Sequence, residues 1–508
     1  MNKNKKSKID RYNLSQKKWI RIIVTAAITL GIILPAAKPG FISRTDRELS
    51  VEEFTRHLDI LILKRMRRYG VAGVSAALIH GGKTVWVNAY GYGDVKNGIK
   101  MTPNTVCRVE SISKSVTAWG VMKLAEEGKI NLDAPVSQYL TDWTWLESDY
   151  NFKEITVRML LSNQSGLPEG DYTNRHSPAS VNLPPLRKTV AEQSIILKQP
   201  GSTFLYSNVG FNLLEILIED VTGRPFSEYM QEEILTPLGM NNSSFQWNST
   251  WNPPVPKGYT VEGEEIDVYV YPEKGSGGLF ADAADIARFT SAGMFRPGIP
   301  QNVLTMESLR AMYVPVTELS GYYRLVFQAY GLGHLVETVN TGETAVAHGG
   351  QGAGVMTHFH SVPETGDGIV ILSNSQRSWP FFAEILKSWA SWRGFSAGME
   401  RMMIGQTVLW FLIGLILFLS FWRMWGIGAG ITFRDRIFAP FSKTGAVSRV
   451  IKAVCAGLLI AAFFWSISQP YFFLFSVFPV ASYWLLFALL AAAAVLSADA
   501  ALPSVKQR

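Results

Sequence analysis

The chain is 508 residues long, 47% hydrophobic and 18% charged, with a mean hydropathy of +0.11. Two cysteines exclude a disulfide scaffold, and the apolar content excludes a disordered chain. The net charge of +7 would suit a nucleic-acid binder, but basic residues crowd positions 1–21, 423–452 and the last few residues, beside apolar runs, while the long middle is mildly acidic.

In chain order, the basic head is followed by an apolar run over 22–37. It reads as a signal peptide or an uncleaved anchor. Pro35-Ala36-Ala37 matches a small-x-small cleavage site poorly, which favours the anchor. Residues 51–68 place Phe54, Leu58, Leu61, Ile62 and Met66 on one helical face. Residues 74–79 and 84–90, joined by His80-Gly81-Gly82-Lys83, read as a hairpin with a Gly-Gly turn. A helix is expected over 111–127, stopped by Gly128. Residues 155–220 hold two further helical stretches, including 211–221. Residues 355–359 and 368–372 form a second hairpin, and 384–392 a closing helix. This order is an α+β pattern.

Three more apolar runs follow, at about 403–422, 453–469 and 474–498, each long enough to span ~30 Å of hydrocarbon. With the N-terminus inside, every basic cluster falls on one side, including the loop 423–452, and residues 38–402 lie outside. The second and third helices turn through Pro470-Tyr471. The loop reads as a topology signal first and an anionic-lipid contact second. The domains expected are a basic N-terminus with its leader over 1–44, one large domain over 45–395, and three transmembrane helices within 396–508. Cys107 and Cys455 cannot pair under this topology, and both read as buried thiols. His358 and His360 share a strand face, but without a third ligand they read as surface or packing residues, and no metal is expected.

The residues with chemistry come in three motifs. Ser111-Ile112-Ser113-Lys114 opens a helix, so Lys114 lies one turn from Ser111 on the same face. A serine hydroxyl needs an adjacent base, and a helix start supplies backbone N–H groups for a developing oxyanion. Tyr206-Ser207-Asn208 follows Pro200-Gly201. A tyrosine near a lysine ammonium loses its proton at lower cost, and could deprotonate Ser111 and later protonate a leaving group. Asn208 could donate to a substrate carbonyl. His348-Gly349-Gly350-Gln351 is the third motif. Its glycines are expected to let a substrate backbone approach the strand edge, with the Gln351 N–H as second oxyanion donor opposite that of Ser111.

These motifs in this order resemble the class C β-lactamase and penicillin-binding-protein-like serine hydrolases. Supporting segments are similar too: Arg108-Val109-Glu110, Gly128 to Asp133, Ser165-Gly166-Leu167, Thr236-Pro237-Leu238-Gly239-Met240 and Gly277-Gly278-Leu279. The resemblance covers about residues 50–390. It implies an antiparallel sheet flanked by helices plus an all-α lobe, with the site between them. It implies Ser111 as nucleophile, Lys114 as general-base partner and Tyr206 as general acid/base, with no cofactor. Asn208, His348, Gly350 and Gln351 become substrate-binding positions. Three positions depart from the family pattern. His348 stands where a lysine is usual, Glu110 where a glycine precedes the nucleophile, and Asn163 where a histidine is usual.

The function expected is a membrane-anchored extracytoplasmic serine hydrolase. It would cleave an amide or ester in a D-amino-acid-containing peptide or an N-acyl-D-amino-acid substrate, and β-lactams are compatible ligands. The leader, domain and three helices together resemble prodrug-activating D-amino-acid peptidases. Alternatives are a penicillin-binding sensor that stays acylated, a β-lactamase or cell-wall D-alanyl esterase, or an enzyme whose helices join a transport or assembly complex. Membrane lipid is the other partner expected, and nucleic acid is not.

Overall fold

The computed structural model describes residues 19–35, 49–140, 142–171, 173–180, 182–295, 301–376, 378–441, 445–468 and 473–504. The basic head before residue 19, the end of the leader, the Pro470-Tyr471 turn and the last basic residues lie outside the described residues. The chain divides into two compact units, Arg44–Met403 and Met1–Ser43 with Ile404–Arg508.

The larger unit is built on a nine-stranded antiparallel sheet. The early strands are β1 (Gly73–His80), β2 (Lys83–Asp94) and β3 (Ile99–Lys100). The late ones are β4 (Thr317–Glu318), β5 (Ala329–Tyr330), β6 (Leu335–Thr338), β7 (Thr344–Gly352), β8 (Val355–Val362) and β9 (Asp367–Ser373). Their spatial order is β3-β2-β1-β9-β8-β7-β6-β5-β4. Gly81 and Gly82 take φ of 59° and 76°, the twist a two-residue hairpin turn needs. The early hairpin joins the late one where β1 pairs with β9, Val74 opposite Ser373 through Ile79 opposite Gly368. Between them, the chain from 101 to 316 is mostly helix and turn. β6 pairs with residues 344–347 only, so β7 from His348 onwards runs past that neighbour.

Each face of the sheet is covered by helices. Helix α1 (Val51–Tyr69) starts with a capping box, Ser50 Oγ accepting from Glu53 N at 3.2 Å and Glu53 returning to Ser50 N at 2.8 Å. It buries Phe54, Leu58, Ile62 and Met66, while Leu61 is half-buried. The other α-helices of ten residues or more described in this unit are α2 (Ile112–Glu126), α3 (Asn208–Thr222), α4 (Ala283–Ala292) and α5 (Ser378–Arg393). The α5 helix packs on α1, with the rings of Phe54 and Trp392 stacked at 4.3 Å. His358 and His360 are fully buried under it, against Phe382 and Trp389. They are packing residues. On the opposite face, α4 packs on β1, β2 and β9, and α2 packs on β7 and β8. Helix α2 is buried on nearly every side, because α3 and the helical lobe cover what the sheet does not. This is the α+β architecture expected, with the start of α2 between sheet and lobe.

In the smaller unit, α6 (Glu400–Thr432), α7 (Ala446–Ser468) and α8 (Pro479–Ala501) are long and apolar enough to cross a membrane. Helix Trp19–Pro35 is apolar and shorter. The α6 helix continues past Trp422, because Arg423 is a single charge before Met424-Trp425-Gly426-Ile427. The reading of both cysteines as buried needs correction. Cys107 is buried, whereas Cys455 lies exposed on α7, an apolar helix with most of its surface turned away from the protein.

Candidate active site

The site begins at the turn before α2. Cys107-Arg108 pairs with Phe280-Ala281, and the chain then reverses at Glu110 with φ of 51°. Ser113, not Ser111, secures this turn: its Oγ donates to Glu110 O at 2.6 Å and accepts from Leu279 N at 3.0 Å. Ser111 is the N-cap residue but makes no side-chain cap. Its hydroxyl instead accepts from Lys114 Nζ at 3.1 Å. The Glu110 carboxylate is buried behind the turn. It accepts from Arg108 Nε at 2.9 Å, Tyr269 OH at 3.0 Å and Tyr271 OH at 3.5 Å. The Arg108 guanidinium also lies over both tyrosine rings, at 4.1 and 4.7 Å.

Lys114 is fully buried. Besides Ser111, its ammonium donates to Asn208 Oδ1 and Ser276 O, both at 2.7 Å. Burial pushes its pKa down to about 7, against the opposing pull of Glu169 and Glu110. Near neutral pH a large fraction of this amine is therefore unprotonated and able to accept the Ser111 proton. The Ser276 carbonyl is held in place from α3. Asn212 Oδ1 accepts from Ser276 N at 3.2 Å, and Glu215 accepts from the N–H groups of Lys274 and Gly275, each at 2.6 Å.

Tyr206 lies between two bonds made by one residue. Asn163 O accepts from Leu205 N at 2.8 Å, and Asn163 Oδ1 accepts from Ser207 N at 2.9 Å. Asn163 does this with φ of 56°, a left-handed conformation that asparagine tolerates. Ser207 then caps α3, accepting from Gly210 N at 2.9 Å. The Tyr206 ring stacks on Tyr323 with centroids 5.5 Å apart, and Lys114 Nζ is 4.9 Å from its centre. Asn208 uses its carbonyl oxygen on Lys114, so its NH₂ is the end that can donate to a substrate. Its own backbone N–H donates to Glu169 O at 3.0 Å. The Glu169 side chain is exposed, yet burial of its surroundings raises its pKa while Lys114 lowers it.

The third motif is on β7, and its side chains differ from expectation. His348 is buried, with Nε2 3.0 Å from Tyr330 OH and Nδ1 2.8 Å from Gly349 O. Burial, then Lys114, lowers its pKa to about 3, so the ring is neutral. A neutral ring fits these partners only if Nδ1–H donates to the carbonyl and Nε2 accepts the Tyr330 hydroxyl. Both nitrogens are thus engaged within the protein. Gly350 is small for a different reason than substrate approach: a Cβ there would lie 2.3 Å from both Val109 O and Thr357 Oγ1. Gln351 Oε1 accepts from Trp379 Nε1 at 3.1 Å, towards α5.

The structure thus joins Ser111, Lys114 and Asn208 by direct hydrogen bonds, sets Tyr206 beside Lys114, and places His348 6.4 Å from the Tyr206 ring. Sequence reasoning missed Ser276, Tyr330 and Glu169. Gly277-Gly278 was the one signal near Ser276, since Gly278 has no room for a Cβ against Lys274.

A half-buried S-x-x-K serine hydrogen-bonded to a buried lysine, placed between an antiparallel sheet and a helical lobe, is the arrangement of a class of serine hydrolases. The chain belongs to the Beta-lactamase family, whose model matches residues 58–388. Members of that family are serine hydrolases, penicillin-binding-protein homologues among them. Over 210 residues the chain is 30% identical to Protein flp of Staphylococcus aureus, an alignment that covers 41% of this chain and 42% of that one. The chain thus spans about two fifths of that relative's length. It is 26% identical over 361 residues to the putative penicillin-binding protein PbpX of Bacillus subtilis, covering 68% of this chain and 83% of the relative. Among solved structures it is similar to the octameric penicillin-binding protein homologue from Pyrococcus abyssi. The TM-score is 0.54 at 27% identity, over 64% of this chain and 74% of that one.

Proposed function

We propose that the protein is a membrane-anchored hydrolase that forms an acyl-enzyme on Ser111 and cleaves an amide or ester in a D-amino-acid-containing peptide or N-acyl-D-amino-acid substrate. The observation that carries the reading is the 3.1 Å contact between Ser111 Oγ and a lysine whose pKa is brought to about 7. Unprotonated Lys114 takes the hydroxyl proton as Oγ attacks the carbonyl carbon. The negative charge on the carbonyl oxygen falls to the N–H groups of Ser111 and Gln351. Tyr206, beside Lys114, returns the proton to the leaving nitrogen or oxygen, and water then releases the acyl group. Asn208 orients the substrate amide through its NH₂. The neutral His348 adds no positive charge, which favours substrates that need no cation opposite a leaving-group carboxylate. α6 to α8 anchor the catalytic unit in the membrane. On the positive-inside pattern, that unit lies outside the cytoplasm.

The test is mass-spectrometric hydrolysis of a paired D/L panel of N-acyl-amino-acid amides and acyl-D-Ala-D-Ala peptides by the detergent-solubilised full chain, with Ser111→Ala as control. Turnover that needs Ser111 and is confined to D-configured substrates is expected. A persistent adduct on Ser111 without turnover would instead identify an acylated sensor, and full activity of Ser111→Ala would refute the reading.

A further inference from the structure

At one end of the helical unit, three cations from three segments converge on one carboxylate. Asp499 lies near the end of α8 with its side chain 4% exposed. It accepts from Arg423 of α6 at 2.7 to 3.1 Å, from Arg436 of the following loop at 2.7 Å and from Lys452 of α7 at 2.8 Å. Arg449, one turn before Lys452, is bonded to the carbonyls of Ala439, Pro440 and Ala500 and brings a further positive charge. Arg21 lies 4.1 Å from the Trp422 ring, beside Arg423. Asp435 is the only acidic residue between 423 and 452.

One carboxylate does not neutralise three cations, and the surplus is partly exposed. The side chains of Arg423, Lys452 and Arg436 are 49%, 28% and 14% accessible. Like charges held a few ångströms apart, at the boundary of an apolar layer, repel strongly unless an anion joins them. Asp499 fixes their spacing, so the side chains are ordered before any ligand arrives. An ammonium has three N–H donors and Asp499 takes one. Arg423 gives Nε and Nη2 to Asp499, and its Nη1 end beside that ammonium suits the tetrahedral oxygens of a phosphate.

We propose that this end of the unit binds the phosphate of an anionic lipid headgroup, with Arg423 and Lys452 as its contacts and Asp499 as the residue that positions them. The proposal rests on α6 to α8 spanning the membrane and is independent of the chemistry at Ser111.

The experiment is native mass spectrometry of the full chain, released from micelles doped with equal amounts of phosphatidylglycerol and phosphatidylcholine. Wild type should retain phosphatidylglycerol in preference to phosphatidylcholine. Arg423→Gln/Lys452→Gln should lose about thirtyfold in that retention, as two interfacial cations would. Arg434→Gln removes a cation of the same loop that is not bound to Asp499, and should leave retention unchanged. Asp499→Asn should retain less phosphatidylglycerol, because the cations lose the carboxylate that holds them at the headgroup spacing. Three results would overturn the proposal: equal retention of the two lipids, equal loss in Arg434→Gln and the double variant, or more retention in Asp499→Asn than in wild type. In phosphatidylcholine-only micelles, inorganic phosphate that binds wild type but not the double variant would assign the site to a free oxyanion and overturn the headgroup.

Discussion

Gly350→Ala tests how the nucleophile turn is set against β7. A Cβ at 350 would sit 2.3 Å from Val109 O and from Thr357 Oγ1, where ordinary contact begins near 3.4 Å. Neither atom is a flexible side-chain end. Val109 O is backbone, and Thr357 Oγ1 donates to it at 2.7 Å. The turn and the strand must therefore part by about 1 Å, which separates the N–H of Ser111 from that of Gln351. Overpacking of this kind costs about 1–3 kcal/mol of stability. A misplacement of about 1 Å costs on the order of a hundredfold in rate. Gly349→Ala is the matched control, because its Cβ would point to the other face and come no closer than 3.3 Å to the Trp379 ring, 3.4 Å to His358 Nδ1 and 3.5 Å to Thr357 O. The assay is the second-order rate of Ser111 labelling by a fluorophosphonate on the detergent-solubilised full chain. The expected result is about a hundredfold loss for Gly350→Ala and a change of a few-fold at most for Gly349→Ala. Equal rates in the two variants, fast or slow, would refute the reasoning.

Three further outcomes are expected. Labelling of Ser111 should rise with pH through an apparent pKa of about 7, because the proposed base is the unprotonated Lys114 amine; a flat profile from pH 5 to 9 would exclude Lys114 as that base. Asn163→Ala loses the buried acceptor of Ser207 N–H and puts alanine at φ of 56°. The cost is about 1–3 kcal/mol for the bond and about 1–2 kcal/mol for the conformation, read as a lower urea midpoint for loss of labelling. The third concerns acid. Burial lowers the pKa of His334 to about 4 and of His348 and His360 to about 3. Their neutral forms belong to the fold, so stability falls as pH drops below the unfolded value near 6.5, by up to about 1.4 kcal/mol per unit for each. Glu215 and Glu337, raised to about 8 and 7, oppose this with stability that grows as pH falls. His358, which burial and His360 hold well below the ordinary value, acts in the same direction as the other histidines, so with four buried histidines the labelling-competent state should melt at lower temperature at pH 5 than at pH 6.5. A higher melting temperature at pH 5 would contradict it.

The sequence was most legible where one local rule decides the outcome. Gly81-Gly82 could only be a tight turn between alternating strands, and Ser111 and Lys114 had to share a helix face. The expected helix 111–127 differs from Ile112–Glu126 only at its ends. Side-chain roles on β7 were not legible, because they depend on partners far along the chain. His348 is taken up by Tyr330, and the space at Gly350 is filled by Val109, which lies 241 positions earlier in the same sequence. Glu169 carries no motif. Only the backbone bond from Asn208 brings it near Lys114.

Glu110 shows how the three departures from the family pattern work together. A glycine before the nucleophile would take a positive φ without strain, and a glutamate at 51° does not. The conformation persists because the side chain is anchored at its far end by Arg108, Tyr269 and Tyr271. That anchorage needs room, and β7 supplies it. A Cβ at Gly352 would lie 2.3 Å from Glu110 Oε1, and one at Gly350 would lie 2.9 Å from Glu110 Cβ. Gly350 of the third motif and Gly352 just after it are therefore tied to the residue before the first motif. The same carboxylate supports the protonated form of Lys114, against the burial that lowers its pKa. Asn163 plays the matching part at the second motif, a non-glycine residue at positive φ that fixes the chain on both sides of Tyr206. His348 completes the set by staying neutral, since a cation there would repel Lys114 and lower its pKa further. Each departure leaves Ser111, Lys114 and Tyr206 together, and two of them bear on the charge at Lys114: the Glu110 carboxylate raises its pKa and the neutral His348 ring does not lower it further.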